Sequence, residues 1–167
     1  FEKSCTTIVL VGPKKDLIVT GHNHIWPGLK SPIAADGLNP ADISLVIHTR
    51  CHPDHMEAGE VLEFDYGATQ AMSSVGAEFL NGPGLEFFPM MGLDYPKGSI
   101  SRTLEERPLA LGDKTVYLYL APGHTPGSPC IHWPAPTVLI PGDLIVAHSV
   151  GPPALPGLHL HPFASSL

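Results

Sequence analysis

The segment that most restricts the fold is Ser44-Leu45-Val46-Ile47, an apolar run that ends directly at His48-Thr49-Arg50-Cys51-His52-Pro53-Asp54-His55. A continuous apolar run of this kind suits a buried strand, covered on both faces by other layers. The stretch that follows is rich in groups that bind metal ions, so a chemically active cluster sits at the end of a buried strand.

The flanking sequence fits a layered α/β or α+β domain. Residues 6–11 and 17–20 read as a β-hairpin around Gly12-Pro13-Lys14-Lys15-Asp16. Prolines and glycines between Gly21 and Asn39 leave room only for a short helix, opening at Ser31 with Pro32 in its first turn. Residues 55–64 and 75–80 read as helices, and residues 68–72 as a strand. Gly and Pro break 81–99 into a loop that covers a site, its Phe87, Phe88, Met90, Met91 and Tyr95 offering apolar contacts to a small substrate. A second hairpin, 109–111 with 115–120, precedes strands near 130–132 and 137–140. No repeat and no boundary appears, so residues 1–167 are read as a single domain with sheets packed face to face and helices outside.

Composition excludes several classes. An apolar content of 43% supports a real core. No apolar run reaches the roughly 18 residues of a membrane span, and the first residues lack a signal-peptide hydrophobic region. A net charge of −7 with scattered bases leaves no footprint for nucleic acid. Cys5, Cys51 and Cys130 form no CxxC pair and fit reduced thiols, which places the chain in the cytoplasm. The expected partner is a small-molecule substrate, with the oligomeric state undetermined. Ten histidines are an unusual number for 167 residues, and imidazole is the commonest metal ligand.

The chemistry concentrates at three strand ends: His52-Pro53-Asp54-His55, His124 within Pro122-Gly123-His124-Thr125-Pro126-Gly127, and Asp143 within Pro141-Gly142-Asp143. An H-x-D-H spacing arises by chance about 0.03 times in a chain of this composition. Imidazole and carboxylate together suit Zn²⁺ or Fe²⁺. The ordinary alternative is that all five are plain loop residues. His22 and His24 read as solvated, Cys51 as core, and His132 and His148 as residues without a role. His48, two positions before Arg50 on the same face, is a candidate substitute ligand.

These motifs resemble the metallo-β-lactamase superfamily, whose loops read H-x-H-x-D-H, then Gly-His, then Gly-Asp. The likeness runs from the opening hairpin through Val19-Thr20-Gly21, the 44–59 segment and 122–143, and on to Ser149-Val150-Gly151 and Leu155-Pro156-Gly157. It implies an αββα sandwich of two mixed sheets with outer helices, and a site of one or two metal ions, zinc or alternatively iron. It also implies a hydrolase in which metal-bound hydroxide attacks a small ester, thioester or lactam-type bond. Asp54, His55 and Asp143 then hold one metal, His52 and His124 hold another or share it, and Asp54 orients the nucleophile. All five are expected to converge.

Three departures stand out. Arg50 replaces the first His of the main motif, and a guanidinium is no metal ligand. Val19 replaces a supporting Asp, and only His159 and His161 are candidates for the last His ligand. The second half also reads as truncated or trimmed at the C-terminus. Arg50 is expected to neutralise Asp54 and Asp143 in place of a metal. Two other functions stay open: a catalytically inactive relative without metals, and an iron-dependent thiol or persulfide dioxygenase using His52, His124 and Asp143.

Overall fold

The computed structural model describes residues 6–146 and 149–151. β1 (Ile8–Val11) and β2 (Lys15–Ile18) form the opening hairpin. α1 (Trp26–Ala35) leads to β3 (Ile43–Ile47), which lies parallel to β2. α2 (Pro53–Met56) and α3 (Gly59–Tyr66) cross to β4 (Thr69–Ser73), parallel to β3. α4 (Ser74–Leu80) and α5 (Phe87–Met90) cross again to β5 (Ile100–Leu104), parallel to β4, completing a mixed sheet in the order β1-β2-β3-β4-β5. β6 (Pro108–Leu111), β7 (Lys114–Leu120), β8 (Pro129–Trp133) and β9 (Val138–Ile140) form the second sheet. β10 (Ile145–Val146) pairs with β11 (Ser149–Val150).

The β3 run is covered on both faces, as its composition demands. Leu45 and Ile47 join Ile18, Ala71 and Leu104 in a core shared with Val116, Leu118, Ile131 and Ile140 of the second sheet. Val46 points the other way, into a layer with Leu17, Trp26, Ile33 and Leu62 beneath α1 and α3. A third cluster packs Met56, Leu80, Phe87 and Phe88 around Met72. Burying one such side chain stabilises by about 1.5–3 kcal/mol, so β3 is anchored from both sides.

The sandwich class holds, with differences in detail. The second sheet is antiparallel throughout, not mixed, because its connections are short returns without a crossover helix. Among the described residues no α-helix follows β5, and Tyr119 and Leu139 of the second sheet are exposed. α1 opens at Trp26 with Pro27 in its first turn and carries Pro32 inside, earlier than expected from Ser31. The single helix expected over 55–64 is two, α2 and α3. The expected loop 81–99 contains α5, held by the burial of Phe87 and Phe88. No helix among the described residues is long and apolar enough to cross a membrane.

Candidate metal centre

The parallel strands end at one edge of the sandwich, and the β7–β8 and β9–β10 connections arrive there from the second sheet. Val19, at the end of β2, has φ 65°, a left-handed conformation rare for a β-branched residue. Its N–H donates to Ile47 O at 3.0 Å, and the Thr20 N–H donates to His55 O at 3.1 Å. The Val19 side chain is buried between the sheets. The loop therefore supports the His55 backbone.

α2 begins at Pro53, so His52 lies at its start while Asp54 and His55 sit on its single turn. Thr49 Oγ1 is 2.9 Å from His55 Nδ1, which leaves Nε2 as the working nitrogen of His55. That Nε2 is buried without a hydrogen bond, 3.3 Å from Asp143 Oδ1 and 3.6 Å from Asp54 Oδ2. Asp143 stands on a single 3-10 turn whose Gly142 has φ 55° and passes against Thr49. Burial pushes the Asp143 carboxyl up, but neighbouring His55 and Arg50 outweigh it and hold the group well below the usual carboxylate range.

The other half contains His52 and His124, with ring centroids 5.1 Å apart. Phe87 lies edge-on to His52 at 4.1 Å. Burial, followed by the charges of Arg50 and His124, lowers the His52 pKa to about 3, so the ring is neutral at physiological pH. His52 Nε2 also lacks a hydrogen bond. Between the halves runs Arg50, only 5% exposed. Its Nη1 is 2.7 Å from His124 Nε2 and pairs with Asp143 Oδ2, while Nη2 donates to Asp54 Oδ2 at 2.9 Å and Oδ1 at 3.2 Å.

The structure thus gathers His52, Asp54, His55, His124 and Asp143 at one place, with Arg50 among them. On the His55 side, an imidazole nitrogen without a hydrogen bond facing two carboxylates suits one metal ion in kind. The His52–His124 side does not, because a guanidinium occupies the His124 nitrogen. Among the described residues no three His, Cys, Asp or Glu side chains are posed around a common ion.

Other sequence candidates lie elsewhere. His48 is fully buried, with Nε2 2.8 Å from Gln70 Oε1, and is no substitute ligand. His22 Nδ1 pairs with Glu57 Oε2 at 2.7 Å, and its ring stacks on His24 at 5.2 Å. Cys51 is buried, its thiol pushed up to about 12 by burial. His132 lies beside Tyr117, with ring centroids 6.3 Å apart. Cys5, His148, His159 and His161 are outside the described residues. Thr49 and Phe87 shape the site without having been singled out as supports. So does Ser73, whose Oγ donates to Gly127 O at 2.5 Å. The available signal was an N-cap serine three residues before Gly76.

Residues 3–167 match the profile of the Metallo-beta-lactamase superfamily. A protein named probable metallo-hydrolase, from Methanocaldococcus jannaschii, is 30% identical over 152 residues, 89% of this chain and 70% of that protein. The fold is similar to a subclass B3 metallo-beta-lactamase of Bradyrhizobium japonicum, with TM-score 0.75, 22% identity, and coverage of 95% of this chain and 64% of that one. A native metallo-beta-lactamase from Legionella gormanii gives TM-score 0.78 at 18% identity, covering 96% of this chain and 66% of that one. The chain spans just under two thirds of the length of these two lactamases.

Proposed function

The chain belongs to the metallo-β-lactamase superfamily, and from that premise we propose a hydrolase dependent on one metal ion, zinc by donor type, acting on a small ester, thioester or lactam-type substrate. One observation carries this reading: the buried His55 Nε2, without a hydrogen bond, faces Asp143 Oδ1 at 3.3 Å and Asp54 Oδ2 at 3.6 Å. Those three side chains are not posed around a common point and would have to close in to hold the ion. When bound, it supplies a Lewis acid and lowers the pKa of water towards about 7.

The chain's own residues supply the rest. Asp54 accepts two bonds from Arg50, and its carboxylate would orient the attacking water and take its proton. Arg50 fixes that carboxylate, so its direction does not have to be set during reaction. His52, neutral and flanked by Phe87, offers a buried acceptor nitrogen.

The test is zinc content together with hydrolysis of chromogenic esters, thioesters and lactams. His55→Ala and Asp54→Asn are expected to lose zinc and to lower kcat/KM by about 100-fold. His132→Ala is expected to stay within a few fold. Full turnover in His55→Ala would move the active site elsewhere. The Arg50 contacts favour a second reading, a non-catalytic relative, and less than about 0.1 metal per chain after purification without chelator would establish it.

A further inference from the structure

We propose that Arg50 is a built-in replacement for a metal ion: its guanidinium takes donors that a metal ion would otherwise collect, so the centre is able to hold at most one ion. The inference rests on reading this cluster as a metal site and deepens that reading.

The partners of Arg50 are the argument. An imidazole nitrogen and two carboxylates are the donors a zinc ion collects, and here His124 Nε2, Asp143 Oδ2 and both oxygens of Asp54 converge on the two terminal nitrogens of one guanidinium. With Arg50 Nη1 donating at 2.7 Å, the His124 lone pair is already used. The guanidinium is always charged and its planar fork matches carboxylate geometry, so it neutralises the paired acids without coordination chemistry.

Displacing it is unfavourable. Arg50 is 5% exposed, and an ion entering beside His124 would leave a sheltered cation without partners while adding two further positive charges against it. The far side differs: Asp143 Oδ1 and His55 Nε2 face each other at 3.3 Å and are not the atoms that Arg50 engages, which leaves at most one position. The one- or two-ion site that the family resemblance implies is thereby limited to at most one ion beside the arginine.

The experiment is zinc titration of the full chain and of Arg50→His, with metal per chain read by elemental analysis and binding read by calorimetry. About one more ion in Arg50→His than in wild type is expected, because the new imidazole completes H-x-H-x-D-H and frees His124. Equal counts in the two proteins, or two ions in wild type, overturn the proposal. Wild type with none and Arg50→His with one supports the arginine proposal while overturning the one-metal function, so the two fail separately. Should Arg50→His not fold, Arg50→Gln is read in the same titration. Binding of a further ion at least about tenfold tighter than in wild type supports the proposal, and unchanged affinity overturns it.

Discussion

His48 shows what a single residue contributes to pH behaviour. It is fully buried, its Nε2–H donates to Gln70 Oε1, and Gln70 Nε2 passes the contact on to Glu63 Oε2 at 2.6 Å. Burial lowers its pKa from 6.5 to about 4, a change only partly offset by the Gln70 bond. The unfolded chain therefore takes up a proton below pH 6.5 that the folded chain refuses until about pH 4. Stability from this group is fully present above 6.5 and is lost as pH falls through that window, at about 1.4 kcal/mol per pH unit. Urea unfolding of His48→Gln from pH 7 to 4 is expected to show a shallower acid limb than wild type. Parallel limbs in the two proteins would mean that His48 does not carry this dependence. The sequence placed His48 on the strand that leads to the centre, but its partner arrives from β4 and could not be read locally.

Among the elements, the loop bearing His124 depends on the start of α4. Ser73 caps that helix by accepting from the Gly76 N–H at 3.0 Å, and the same hydroxyl donates to Gly127 O. A Cβ on Gly127 would run into the Gly76 backbone, so the contact is available only to glycine. Ser73→Ala is expected to cost about 1–2 kcal/mol through the lost cap and tether, measured as a lower Tm, and to loosen amide-exchange protection across 121–128. Unchanged protection in that loop would refute the tether. The same scale explains what could be read beforehand. β1, β2, β3, β4 and α4 carry local patterns: a turn between apolar runs, an unbroken apolar stretch, a helical spacing. β5 was missed because Ser101, Arg102 and Thr103 are exposed and only Ile100 and Leu104 face inward, so parallel pairing with β4 creates the strand. α5 was missed because Gly and Pro surround it, while burial of Phe87 and Phe88 stabilises it from a distance. The five candidate residues stood out by their motifs, and the structure brings them together, whereas the supports from Thr49, Ser73 and Phe87 exist only after the chain has folded.

For the molecule as a whole, Arg50 links the two sheets, joining Asp54 after β3 to His124 and Asp143 on connections of the second sheet. Removing one partner of a sheltered ion pair costs more than the pair contributes, since the remaining charges lose their solvent substitute. Arg50→Ala is expected to destabilise the metal-free protein by about 3 kcal/mol in urea unfolding. It should also raise amide exchange at both the 48–55 and 121–128 segments. A loss confined to one segment would show that the link does not bridge the sheets. The same arginine sets the sign of the local potential. Counting Arg50, Asp54 and Asp143 alone, the cluster's own side chains carry a net charge of minus one, within a chain of net charge −7. A bound dication would reverse that local sign, so an anion approaching the centre would be repelled without the ion and attracted with it. Added salt then slows its capture in the second case and speeds it in the first.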